Sequence, residues 1–154
     1  MINIRKATVK DFETIQSFQK KLSEYEAQFT NEFNINWAYS EKGKFFFERH
    51  IKGRNVFTLV AVDEKKLIGY LAVTIKKTDF RNRNKLALLD HLFVNEDYRK
   101  KGVGNMLIEE AVKKLRERKV PRFQLYVLKD NINAIDFYNK NKFKEFILIM
   151  EKDI

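Results

Sequence analysis

Two hydrophobic rhythms alternate along the chain. Ile2 and Ile4 alternate with Asn3 and Arg5, the spacing of a short strand. Thr8 with Asp11 three residues on has the form of a capping box. Behind it the stripe Phe12, Ile15, Phe18, Leu22 predicts a helix to about Tyr25, with Gln19 facing away. Periodicity fails from Ala27 to Trp37, which reads as a loop or broken helix. Gly43 to Ile51, carrying three consecutive phenylalanines, predicts a second helix that stops before Gly53, with His50 on its surface. Val56 to Val62 and Leu67 to Ile75 are β-rich runs joined by Asp63-Glu64-Lys65-Lys66, the pattern of a hairpin.

The second half keeps the same alternation. Leu86 to Val94 has the length and bulk of a buried strand, and Val103, Leu107, Ala111 and Leu115 then form a helical stripe. Pro121 stops that helix. Phe123 to Leu128 predicts a strand, Asn131 to Asn141 a last helix, and Phe143 to Lys152 a closing strand around Phe146-Ile147-Leu148-Ile149-Met150. The helix crossovers after the Leu86 and Phe123 strands imply a parallel pair in a mixed sheet of about six strands covered on both faces.

Composition narrows this little. One domain spanning 1–154 is the expectation at this length, and fourteen phenylalanines can fill its core. With no cysteine, disulfides and thiolate metal sites are excluded. No run approaches a membrane span, and MINIRKATVKDF lacks the apolar core of a signal peptide, so a cytoplasmic chain is expected. The net charge of +10 favours anionic partners. Nucleic acid is disfavoured among them, because no aromatic-and-basic module is present.

The strand-to-helix corner carries the clearest chemistry. Arg99-Lys100-Lys101-Gly102-Val103-Gly104-Asn105 is a basic, glycine-bearing turn into a helix, where unpaired N–H groups and the positive dipole end converge on an anion. Glycine at 102 and 104 removes β-carbons, so a pyrophosphate can approach the backbone. A Walker loop is absent, and a dinucleotide fingerprint would need a small residue where Leu107 stands. Ser17, Ser23 and Ser40 lie in no Gly-x-Ser-x-Gly elbow, and neither His50 nor His91 has ligand-spaced partners, so neither a hydrolase triad nor a metal site is expected.

That corner matches the (Arg/Gln)-x-x-Gly-x-(Gly/Ala) loop, and Asp130 to Phe143 resembles the Asn-x-x-Ala-x-x-Phe-Tyr-x-x-x-Gly-Phe signature, of the GNAT superfamily of N-acetyltransferases. Lys142 stands where that family usually has glycine. The resemblance implies an α/β fold with a mostly antiparallel sheet, a splayed parallel pair and helices on both faces. It implies acetyl-CoA as donor, its pyrophosphate at Arg99 to Asn105 and its pantetheine arm on the backbone of Leu92, Phe93 and Val94 and along Asn131, Ala134 and Tyr138. Tyr138 would protonate the departing thiolate, and a homodimer is common in the family.

An amine acceptor must lose a proton before attack. Asp90 is the favoured base, with His91, Glu96 or a water relay behind it; on an unbroken strand Asp90 and His91 point to opposite faces, so only one can reach the cleft. Without cysteine, direct attack in a ternary complex is expected rather than an acetyl-enzyme. Polyamines, protein amines and aminoglycosides stay open as acceptors, although Leu22 to Gln28 and Leu89 to Val94 resemble diamine acetyltransferases. The rival reading is a non-catalytic acyl-CoA-binding regulatory module.

Overall fold

The computed structural model describes residues 1–154. Strand β1 (Ile2–Lys6) is followed by helices α1 (Phe12–Glu26) and α2 (Glu41–Lys52), then by β2 (Val56–Asp63), β3 (Lys66–Lys77) and β4 (Lys85–Val94). Helix α3 (Val103–Glu117), β5 (Phe123–Leu125) and α4 (Ile132–Lys140) complete the elements. The strands form one sheet in sequence order, antiparallel except for the β4–β5 pair.

Each helix face meets the sheet because its apolar stripe has nowhere else to be buried. Val103, Leu107, Ala111 and Leu115 of α3 pack with Phe57, Leu59, Leu71 and Leu89 on one face. Ile15 and Phe18 of α1 and Phe47 and Ile51 of α2 pack with Val60, Tyr70 and Phe93 on the other. A strand covered on both sides needs a nearly continuous apolar run, and β2 supplies one, with Thr58 its one polar interruption between Val56 and Val62. Each large side chain fully buried there contributes roughly 1.5–3 kcal/mol.

Four expectations change. The sheet has five strands, because Phe143 to Lys152 forms no ladder, and β5 ends at Leu125 rather than Leu128. Gln19 faces inward, where it accepts the Tyr70 hydroxyl at 3.0 Å and donates to Ser23 at 3.2 Å. His50 is buried rather than on a helix surface. The fourth concerns β4: Ala72 pairs with His91 but Val73 with Leu89, so Asp90 is an extra, bulged residue. The bulge resets the alternation. Leu89 packs on the α3 side but His91 sits among α1–α2 side aromatics, so Asp90 and His91 both point to the α1–α2 face.

Candidate active site

The parallel pair meets only at Ala87–Leu89 with Phe123–Leu125. Beyond that the strands part, and a cleft of about 1170 Å³ opens between residues 89–94 of β4 and Tyr126 to Leu128. Single small ligands commonly fill about 300–1,000 Å³, so this cleft has room for two reactants.

At one end lies the amide corner. The backbone amides of residues 100–105 make no hydrogen bond within the chain, and the first helical bond of α3 is Met106 N–H to Gly102 C=O, 3.0 Å. Lys100 and Gly102 both adopt positive φ, 60° and 82°, which turns the chain sharply into the helix. A β-carbon on Gly102 would meet nothing within 4 Å. Gly104 differs. A β-carbon there would stand 2.9 Å from the Phe137 ring, so this glycine lets α4 close on α3 rather than making space for an anion.

Two of the corner's three charged side chains are engaged elsewhere, and Lys100 alone lines the cleft without a partner. Arg99 Nε donates to the Val94 carbonyl at 3.1 Å while its guanidinium lies over Tyr25 and Phe93. Lys101 stacks on Tyr98 at 5.3 Å and does not line the cleft. Main-chain N–H groups and the Lys100 ammonium are therefore what the corner offers an anion.

Along β4, the register decides which peptide groups are open. Asn95 N–H donates to Ile68 on β3, so by antiparallel alternation Phe93 also turns its peptide groups to β3, while Leu92 turns its N–H and C=O and Val94 its N–H toward the cleft, the Val94 carbonyl already accepting from Arg99. Phe93 instead contributes its side chain to the core, 4.9 Å from Phe18.

At the far end the bulge brings Asp90 and His91 to the cleft together. Thr74 Oγ1 donates to Asp90 Oδ2 at 2.6 Å, and buried His50 places Nε2 3.0 Å from Thr74 Oγ1 and 3.2 Å from the same carboxylate oxygen. His50 Nδ1 faces the Phe46 carbonyl at 2.8 Å, which holds the ring in place. His91 is ringed by Trp37, Phe46, Phe47 and Tyr70. Burial there lowers its pKa to about 4, against a smaller upward pull from Asp90, so it is neutral at physiological pH. Glu26 of α1 also lines the cleft, burial raises its pKa, and no salt bridge of the chain includes it. Sequence reasoning names Glu24, Glu26, Glu32, Glu41, Glu48 and Asp90 as acids that could line a cleft for a cationic amine; Glu26, Glu32 and Asp90 do, the other three do not, and Thr74 and the inward place of His50 were missed. Glu96 does not line the cleft.

Helix α4 forms the opposite wall. Asn131 caps it, accepting from Ala134 N–H at 3.2 Å, and Asn131, Ala134 and Tyr138 all line the cleft. Burial, with a lesser push from the Glu26 charge, raises the Tyr138 phenol well above its ordinary value, so it stays protonated. The helix ends in a Schellman motif: Phe143 N–H bonds Tyr138 C=O and Lys142 N–H bonds Asn139 C=O, both 3.0 Å. Lys142 takes the left-handed position, φ 68°, where the signature has glycine.

The sequence pattern of the acetyltransferase (GNAT) family matches residues 18–143, which runs from within α1 through the last residue of that motif. The chain belongs to the GNAT family. As a member it is an acyltransferase, and N-acetyl transfer from acetyl-CoA is the family's reaction. A spermidine N(1)-acetyltransferase of Thermoplasma acidophilum is 28% identical over 149 residues, 93% of this chain and 88% of that one. Among solved structures, a mutant protein of Bacillus halodurans superposes with a TM-score of 0.85 over 99% of both chains, at 23% identity. The PaiA N-acetyltransferase of Thermoplasma acidophilum, solved with coenzyme A, gives 0.75 at 26% identity over 92% of this chain and 88% of that one. For a GNAT enzyme the open amides of residues 100–105 fit a diphosphate, and the open β4 edge fits an amide-bearing arm. The structure contains no group of His, Cys, Asp or Glu arranged for a metal.

Proposed function

We propose that this enzyme acetylates a primary amine of a polyamine, by direct attack in a ternary complex. The observation that carries the acceptor is Glu26: on a chain of net charge +10, a carboxylate sits in the cleft, partly desolvated, with no cationic partner in the fold. Burying an unpaired carboxylate is unfavourable unless a ligand supplies the cation. Tyr25, Phe33 and Trp37 beside it offer apolar wall for a methylene chain, and the likeness to a spermidine acetyltransferase supports the same class.

Bound in the cleft, acetyl-CoA supplies a thioester whose carbonyl an amine can attack. The amides of residues 100–105 hold the diphosphate, and the peptide groups of Leu92 with the N–H of Val94 align the pantetheine arm as an added strand would. Asn131 and the small Ala134 leave a channel along α4 for that arm. Asp90, oriented by Thr74 and His50, takes the acceptor's proton, directly or through water. Tyr138, kept protonated by burial, gives its proton to the departing sulfur. Most of the rate comes from holding both reactants side by side.

Thiol release from acetyl-CoA, measured with spermidine, a peptide amino terminus, a lysine peptide and an aminoglycoside, tests the reading. Turnover highest with spermidine, and weakened mainly through KM in Glu26→Gln, is the expected result. A peptide or aminoglycoside as best acceptor removes the polyamine assignment. Tight acetyl-CoA binding without turnover on any amine removes the catalytic one.

A further inference from the structure

Three polar atoms meet behind the acceptor end of the cleft. Thr74 Oγ1 lies 2.6 Å from Asp90 Oδ2, and His50 Nε2 lies 3.0 Å from that hydroxyl and 3.2 Å from the carboxylate oxygen. If a neutral imidazole faces a carboxylate, there are too few hydrogens for these contacts. A carbonyl only accepts, so the 2.8 Å contact with Phe46 C=O requires a hydrogen on His50 Nδ1. A neutral imidazole has one N–H, which leaves Nε2 bare. The Thr74 hydroxyl then brings the single hydrogen of the triangle. Whichever way it turns, two of the three contacts set lone pair against lone pair. One further proton on Nε2 repairs this, because it is given to both oxygens. Its seat is Nε2 rather than Oδ2, since the 2.6 Å Thr74 bond has the length of a hydroxyl donating to an ionised carboxylate.

The surroundings leave the two groups to balance each other. His50 is buried and its ring stacks on Phe46 at 3.8 Å, so water does not solvate it. His91 on β4 is neutral, because burial lowers its pKa to about 4. On β3 the Tyr70 phenol is raised well above its ordinary value, by burial and then by the charges of Glu26 on α1 and of Asp90, so it is neutral too. Glu48 and Arg49, the other charged groups near His50 on α2, are exposed. An imidazolium beside Asp90 makes the pair neutral overall, whereas without that proton a carboxylate would stand there uncompensated.

We propose that His50 and Asp90 hold one proton in common at neutral pH, and that its departure makes the base that the amine acceptor needs. The catalytic half rests on the reading of Asp90 as base, whereas the shared proton rests on the contacts alone. Once that proton has passed to solvent, an N–H bond of the substrate ammonium breaks, the Asp90 carboxylate receives the proton and Nε2 shares it. The freed amine lone pair attacks the thioester. Asp90 Oδ1 accepts no hydrogen bond within the chain and is open to the ammonium. His50 does not line the cleft, so it is a positioning residue that acts through Asp90.

Nitrogen NMR of the imidazoles in the full chain tests the shared proton, since there are two histidines and His91→Phe leaves His50 alone. At pH 7 the expected spectrum has both His50 nitrogens protonated in the wild type, and Nδ1 alone in Asp90→Asn, whose amide can donate to Nε2. A bare Nε2 in the wild type overturns the proposal, and so does a doubly protonated His50 in Asp90→Asn. Turnover at saturating acetyl-CoA and spermidine, followed between about pH 6 and 9, tests the catalytic half. The wild type should lose rate on the acid side. His50→Gln, which holds Asp90 through a neutral amide, should lose roughly ten-fold less by pH 6, with unchanged acetyl-CoA affinity to report that it is folded. Equal acid losses, or a wild-type rate independent of pH, overturn it. If no amine is acetylated, the reading of Asp90 as base fails, and the imidazole spectrum still decides the proton.

Discussion

At the amide corner residues 100–105 offer main-chain donors in one uninterrupted stretch, whereas at the acceptor end Glu26, Asp90 and His91 arrive as side chains from α1 and β4, backed by His50 from α2 and Thr74 from β3. The first site needs a backbone path and tolerates most side chains. The second needs particular side chains and a bulge to aim them. Substitutions at the acceptor end should therefore have large, specific effects, and substitutions at positions governed by backbone conformation should have small effects whose sign follows φ.

The largest expected effect is on stability in acid. His91 titrates near 6.5 when unfolded but near 4 in the fold, because burial disfavours its charged form. Between those values the unfolded chain binds a proton that the fold refuses, so stability falls as pH drops from 6.5 to 4, by on the order of 3 kcal/mol, and above 6.5 the group contributes nothing. Replacing His91 with Phe, which suits the aromatic ring around it, should abolish most of that loss. Urea melts of both proteins at pH 7 and 4.5 check this. Glu26, whose pKa is raised, works in the opposite sense near its own value, but it is unchanged in the variant and drops out of the comparison. An equal acid loss in both proteins would mean that His91 is solvated.

Asp90→Asn comes next. Removing a general base commonly lowers turnover by about 10²-fold or more. Acetyl-CoA affinity should hold, since the amide corner is untouched, and isothermal titration beside steady-state rates separates the two. An equal fall in affinity would tie the two ends of the cleft together more tightly than their geometry suggests. Tyr138→Phe is smaller: turnover falls roughly ten-fold or more on loss of the proton donor, with cofactor affinity little changed. Unchanged turnover in stopped-flow thiol release would leave the sulfur to be protonated by solvent.

The same division explains what the sequence could tell. The amide corner is contiguous, and its glycines and following helical stripe lie in plain view, so the basic turn into a helix was legible from Arg99 to Asn105, whereas the left-handed Lys100 and the packing of Gly104 on Phe137, a contact from thirty-three positions away, were not. The signature from Asn131 to Phe143 was equally local. The acceptor end depends on contacts across long stretches of chain: His50 meets Asp90 forty positions away, and Tyr70 meets Gln19 across fifty-one. Strict alternation would send Asp90 and His91 to opposite faces, and no residue in Leu86 to Val94 announces the bulge that brings them together. The pentapeptide Phe146 to Met150 reads as a strand because its composition is right, but a strand exists only with a neighbour, and within one chain it finds none.

Lys142 gives the smallest effect and the sharpest test of the backbone side of this comparison. Its φ of 68° is set by the two bonds that end α4, and the contact of Phe143 with Tyr138, ring centroids 5.7 Å apart, locks the turn. An L-residue with a β-carbon is strained there by about 1–2 kcal/mol, and glycine is not, although glycine loses more entropy on folding. Lys142→Gly should therefore stabilise the protein by about 0.5–1 kcal/mol, which for a chain of this size raises the melting temperature by roughly 1–4 °C. Acetyl-CoA affinity and turnover should not change, because the lysine side chain is exposed and does not line the cleft. Calorimetric melts with and without acetyl-CoA distinguish the outcomes. A lower melting temperature would show that the side chain holds the turn, and a weaker response to acetyl-CoA would show that it takes part in binding; either would move this position from the backbone-governed class to the one that Asp90 and His91 occupy.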